Sequence, residues 1–132
     1  MLKISKINKE NFKNIPSDSL VDYYNKHNLN PVPLPLDTES EWEEHIEKRR
    51  NLYERHLKIP ISIFNNKDVL EFGCNSGENA LYLAHLDANL TLVEPNKKVH
   101  DRLIKLFRSR RCEKNIVKLT SKTIEEYKST IQ

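Results

Sequence analysis

The chain has 132 residues, of which 37% are hydrophobic and 31% charged, and a formal net charge of +3. This is one domain's worth of sequence with the balance of a globular protein, and it excludes a disordered chain poor in Leu, Ile, Val and Phe. No apolar run approaches the roughly 18 to 20 residues of a membrane span, and Met1 to Glu10 lacks the apolar core of a secretory signal. The expectation is a cytoplasmic protein with no membrane partner.

From Met1 to about Leu36 the sequence is irregular. A short helix is expected near Asp18 to His27, and the three prolines of Asn30-Pro-Val-Pro-Leu-Pro-Leu36 favour extended backbone. Asp37-Thr-Glu-Ser-Glu-Trp-Glu-Glu then supplies cap-type residues and early acids. Trp42, Ile46, Leu52, Tyr53 and Leu57 follow at roughly helical spacing, so a lead-in helix is predicted from about Ser40 to Leu57, ended by Pro60. Its Arg49, Arg50 and Arg55 face solvent or a ligand.

After the turn Asn65-Asn66-Lys67-Asp68, Val69 to Phe72 reads as a short apolar strand. Glu78 to His85 reads as a helix and Asn89 to Glu94 as a second strand. Pro95 opens a long helix from Lys97 to about Arg111, with Val99, Leu103, Ile104 and Phe107 as its buried stripe. Asn115 to Leu119 is a third strand, and Thr123 to Tyr127 starts a final helix. Alternating strands and helices predict an α/β fold with a parallel sheet and crossover helices. The organisation is an N-terminal extension over residues 1–66 and a sheet-bearing part over residues 67–132.

Average usage near 7% would give roughly nine glycines in a chain of this length. This chain has two, Gly73 and Gly77, and both lie in Glu71-Phe-Gly-Cys-Asn-Ser-Gly-Glu78. Glycine is needed where the backbone takes positive φ or where a ligand approaches too closely for a Cβ. A strand-to-helix turn that receives a nucleotide needs both, and the helix after it offers free N–H groups in its first turn.

Val69-Leu-Glu-Phe-Gly-Cys-Asn-Ser-Gly-Glu-Asn-Ala80 resembles the first motif of class I S-adenosylmethionine-dependent methyltransferases, which runs acidic-x-Gly-x-Gly-x-Gly. The resemblance implies a Rossmann-like parallel sheet, strands 3-2-1 of the methyltransferase fold, with S-adenosyl-L-methionine as cofactor. Glu71 takes the acidic position near the methionine amino group, and Gly73 and Gly77 take the outer glycines with Cys74 and Ser76 between them. Asn75 stands where the family has its middle glycine, which requires negative φ there or an Asn in the left-handed region. Glu94, at the end of the second strand, matches the second motif, whose carboxylate accepts both ribose hydroxyls. Pro95 and Asn96 follow near the adenine, and the third motif falls on Ser121 to Ile124, with Thr123 and Ile124 as adenine neighbours.

A dinucleotide-binding unit would want Gly-x-Gly-x-x-Gly, which Gly73-Cys-Asn-Ser-Gly77 lacks, and the phosphate-loop pattern is absent too. His45 and His56 are about three helical turns, roughly 16 Å, apart and too distant to share a metal. Cys74 and Cys112 read as free thiols, with Cys74 a packing residue of the turn. Basic residues at 97, 98, 102, 105, 108, 110 and 111 read as a solvated helix face rather than a nucleic-acid surface.

The resemblance covers roughly Lys67 to Tyr127, and a complete catalytic domain of that family would continue for four more strands. The chain is therefore expected to be the cofactor-binding half of a methyltransferase, either a fragment of a longer chain or completed by a partner, whose acceptor is a small molecule or sugar; no catalytic residue is named. Val69 to Phe72 is then an unpaired apolar edge open to a second copy or a partner chain. The alternative is a non-catalytic interaction module of the same fold that binds a protein or RNA.

Overall fold

The computed structural model describes residues 17–27 and 34–131. The chain divides into two units, Met1–Asn30 and Pro31–Gln132. In the first, helix α1 spans Ser17–Lys26, close to the predicted helix, with the Tyr23 and His27 rings 4.3 Å apart. The irregular backbone expected over residues 1–16, and the prolines at 31 and 33, lie outside the described residues. Among the described residues no helix is long and apolar enough to cross a membrane.

The second unit begins with an irregular segment, residues 34–38, that leads into helix α2, Glu39–Arg50. Thr38 and Glu41 form a reciprocal capping box: the Glu41 amide donates to Thr38 Oγ1 at 3.1 Å and the Thr38 amide to Glu41 Oε1 at 3.2 Å. Two orphan amides of the first turn are thereby satisfied. Acids at the start and Lys48, Arg49 and Arg50 at the end complement the helix dipole.

The helix continues as a π-helical turn over Asn51–His56, with the Leu57 amide donating to Leu52 O at 2.9 Å. The predicted stripe holds at Trp42, which is buried, and at Ile46 and Tyr53, which pack against the core. It fails at Leu57, which is exposed. The wide turn inserts a residue into the helical repeat and shifts the phase of the residues beyond it, so Leu57 leaves the apolar side. His45 joins Trp42 inside and donates through Nε2 to Glu78 O at 2.9 Å.

The sheet is parallel and three-stranded, in the order β1 (Asp68–Phe72), β2 (Asn89–Val93), β3 (Ile116–Thr120). Each strand is predicted to within a residue. The connections carry helices α3 (Glu78–His85) and α4 (His100–Ser109), and helix α5 (Ile124–Ile131) comes after β3. The helix expected from Lys97 to Arg111 is shorter at both ends. Lys97–Val99 form a 3₁₀ turn capped by Asn96 Oδ1, which accepts from the Lys98 amide, and Arg111 exits with φ +56°.

One face of the sheet holds the core. Leu90 and Leu92, with Val69, Ile116 and Leu119 of the same face, pack against Leu81, Ala84, Leu103 and Phe107 of the crossover helices and against Trp42. On the opposite face Phe72 meets the Tyr127 ring of α5 edge-on at 5.7 Å, whereas Leu70 stays 43% exposed. Among the described residues β1 forms one edge of the sheet.

Arg110 departs from the solvated basic face predicted for α4. Its guanidinium donates to Glu39 Oε2 at 2.8 Å and to the carbonyls of Leu36 and Thr38 at 3.3 Å, and lies 4.9 Å from the Trp42 ring centroid. It thus ties residues 36–42 to the end of α4. Arg110→Ala is expected to destabilise the unit by about 2 kcal/mol, the sum of charge-assisted hydrogen bonds and a cation–π contact. The check is a lower urea midpoint with faster amide exchange confined to residues 34–42; exchange unchanged there would refute the tie.

Candidate functional site

At the C-terminal end of β1 the backbone turns through three left-handed residues, Gly73 (φ +66°), Asn75 (φ +51°) and Gly77 (φ +89°), before α3 begins. Asn75 therefore takes the second of the two options open to it in the sequence. Asn tolerates this region better than most residues, so it can replace a glycine without breaking the turn.

The two glycines serve different ends. A Cβ built on Gly73 would meet nothing within 4 Å, so open space lies beside this backbone. A Cβ on Gly77 would lie 2.8 Å from Leu103 Cγ and 3.0 Å from its Cδ1. Gly77 is thus required by the seating of α3 and its turn against α4. Space beside the backbone is thus open at Gly73, whereas packing against Leu103 accounts for the glycine at position 77.

Two carboxylates flank this loop from adjacent strands. Glu94 lies just past β2, is 5% exposed, and accepts a long hydrogen bond from the Asn75 amide, 3.4 Å to Oε2. Glu71 belongs to β1, and its Oε1 accepts from Asn79 Nδ2 at 3.3 Å, while Oε2 is buried with no partner among the described residues. Burial raises the pKa of both above the ordinary carboxylate value; the amides of Asn75 and Asn96, and more weakly His100, oppose this at Glu94, and the Asn79 bond, then the charge of Arg49, opposes it at Glu71. Neither forms an ion pair with a cation among the described residues.

Cys74, buried between them, is pushed up to about 12 by burial and by the charges of Glu71 and Glu94. It is a protonated packing residue at neutral pH, as its place in the turn suggests.

The remaining predicted residues divide. Pro95 is half-buried and Asn96 buried, with the Asn96 side chain spent on capping the turn after β2. His100 Nε2 donates to Glu94 O at 2.8 Å and fixes the backbone of that corner. Ser76 turns away from Glu94: its buried hydroxyl lies 2.8 and 2.9 Å from the two Glu78 oxygens, and Glu78 Oε1 also accepts from the Leu34 amide. Ser76 therefore holds the lead-in segment.

Thr123 caps α5, its Oγ1 accepting from the Glu126 amide at 3.3 Å, and Ile124 is exposed. Both lie at the same sheet end as Glu94, whose amide donates to Thr120 O at 2.9 Å. A cleft of about 740 Å³ opens beside this site. It is walled by Leu34, Leu36, Ser76, Glu78, Arg102 and Arg110, among others, and includes neither carboxylate of the loop. Glu39 and Glu78 in its wall are already engaged by Arg110 and by Ser76 with Leu34, which makes it a seam between the lead-in and α4.

Sequence reasoning missed Asn79 and Tyr53. Tyr53 donates its hydroxyl to Asn79 Oδ1 at 3.0 Å, and Asn79 in turn donates to Glu71. The visible signal was an amide at the second position of α3, eight residues beyond Glu71. No protein-family model, curated protein or solved structure matches the chain.

Proposed function

We propose that this protein binds S-adenosyl-L-methionine at the C-terminal ends of β1 and β2, as part of a class I methyltransferase acting on a small-molecule or sugar acceptor. One observation carries the reading: the buried Glu94 and the half-buried Glu71, whose Oε2 is buried without a hydrogen-bond partner among the described residues, stand at neighbouring strand ends with no ion pair, around a left-handed loop with open space at Gly73. An uncompensated buried carboxylate is destabilising unless a ligand completes it. The mouth of a parallel α/β sheet is also where such folds take ligands.

The cofactor's groups fit these residues in kind. Glu94 offers two acceptor oxygens to a ribose diol, Glu71 offers an unengaged oxygen to an ammonium, and Gly73 leaves backbone accessible to the chain that joins them. The cofactor supplies an activated methyl group, and this chain's residues bind and orient its donor end. The strand order, read as 3-2-1 of the methyltransferase fold, supports the same reading.

Titration calorimetry with S-adenosylhomocysteine tests it: one site per chain is expected, with no heat from a nicotinamide dinucleotide. Absence of binding to the thioether overturns the proposal. A second reading, a non-catalytic module that receives a partner strand, draws on the open β1 edge with its exposed Leu70 and Phe72. The same titration separates the two, since a strand-receiving module gives no heat with either ligand.

A further inference from the structure

The hydrogen-bond path from α2 into the site runs in one direction. The Tyr53 hydroxyl donates to Asn79 Oδ1 at 3.0 Å, which obliges the Asn79 amide nitrogen to face the other way. There it donates to Glu71 Oε1 at 3.3 Å. Tyr53 itself is held by its ring, stacked 5.9 Å from Tyr82 and edge-on to Phe64 at 5.4 Å. The π-helical turn that carries it, Asn51–His56, is a geometry found disproportionately at functional sites.

The outcome is an asymmetric carboxylate. One oxygen is committed to the protein, and the other, Oε2, is buried and unsatisfied among the described residues. Leaving a buried acceptor unpaired carries a large desolvation penalty, greater for a charged group. Gly73, two residues along the chain, has open space beside its backbone.

We propose that Tyr53 and Asn79 are positioning residues that present Glu71 Oε2 to the ammonium of an amino-acid-bearing nucleoside, so that the lead-in helix sets the preference for that ligand over the bare nucleoside. This rests on the cofactor reading above. Asn79 fixes the carboxylate's rotation, Tyr53 fixes the amide's, and the aromatic stack fixes Tyr53. The selectivity arises because a nucleoside without the amino-acid portion leaves Oε2 unpaired.

The test is calorimetry on the whole chain with two ligands, S-adenosylhomocysteine and 5′-methylthioadenosine, the thioether nucleoside that lacks the amino-acid portion. Wild type, Asn79→Ala and Tyr53→Phe are compared. Asn79→Ala is expected to weaken the first ligand about tenfold, the loss of one orienting hydrogen bond, and the second by less than about twofold. Tyr53→Phe is expected to reduce the ratio about threefold. It keeps the ring stack, so it decides the matter if Asn79→Ala does not fold.

Equal weakening of both ligands would show a structural role only and overturn the inference. So would an unchanged ratio, the result expected if a bound water is the sole donor to Oε2. In either case wild-type binding leaves the cofactor reading standing. A wild-type chain that binds neither ligand overturns both.

Discussion

Gly77→Ala is expected to destabilise the sheet-bearing unit by about 3 kcal/mol, made up of roughly 1–2 for a Cβ at left-handed φ and 1–3 for overpacking. The new methyl would sit 2.8 Å from Leu103 Cγ and 3.5 Å from Phe107 Cε2. Leu103 and Phe107 are both fully buried, so neither can swing into solvent to make room. Thermal unfolding should fall by roughly 10–20 °C for a domain of this size. Gly73→Ala is the internal control. It meets nothing within 4 Å and bears only the backbone strain, about 1 kcal/mol.

A double-mutant cycle with Leu103→Ala sharpens this, because removing the leucine relieves the collision and makes the pair less damaging than the sum. Equal losses at the two glycines would show that backbone strain alone governs both positions.

The second large effect falls on Glu94. Glu94→Ala is expected to lower affinity for S-adenosylhomocysteine at least about 100-fold, the loss of about 3 kcal/mol from charge-assisted hydrogen bonds to a diol. Stability should move the other way in Glu94→Gln. Burial raises the folded-state pKa of Glu94 above its ordinary value of 4.5. The stabilisation linked to its proton is complete below the unfolded pKa and is lost as pH rises through the raised folded value.

The Gln variant holds that corner neutral at every pH. Its advantage over wild type should therefore be absent in acid, appear above the ordinary carboxylate range, and persist at neutral pH. Urea midpoints across that range provide the measurement. A Gln variant that is less stable than the ligand-free parent at neutral pH would mean that the carboxylate serves the fold itself. Improved stability with lost binding is the pattern of a group kept for its ligand.

The strands and crossover helices were legible because their signals are local. Alternation over Asn89 to Glu94, an apolar run at Val69 to Phe72 and a helical stripe at Val99, Leu103 and Phe107 each lie within one element. So does the confinement of both glycines to one turn, which singled out Glu71 and Glu94. The division of labour between those glycines was not legible, since Leu103 belongs to a helix that begins more than twenty residues later. The same holds for Arg110, whose partner Glu39 is 71 residues away, and for Tyr53, 26 residues from Asn79. Helix patterns show which side of an element is apolar; they do not show which polar group on a distant element a buried side chain will find.

Asn75 and Ser76 mark a finer boundary. Both sit in the turn whose composition suggested a ligand, yet the backbone amide of Asn75 reaches Glu94 and the hydroxyl of Ser76 reaches Glu78. Neighbouring residues of a tight left-handed turn thus present different groups to different partners, and the sequence motif assigns both to one site.

The π-helical turn at Asn51–His56 makes the lead-in sensitive to length in a way that its amino-acid identities do not. Such a turn is arithmetically an α-helix with one residue too many. Deleting a single residue ahead of Tyr53 would restore regular winding and rotate that ring by about 100° around the helix axis. Chain length at this point, more than side-chain chemistry, decides whether a phenol hydroxyl reaches Asn79. Two sequences that align without a gap here share the phase of the helix, and a one-residue gap separates them more deeply than several substitutions on its surface.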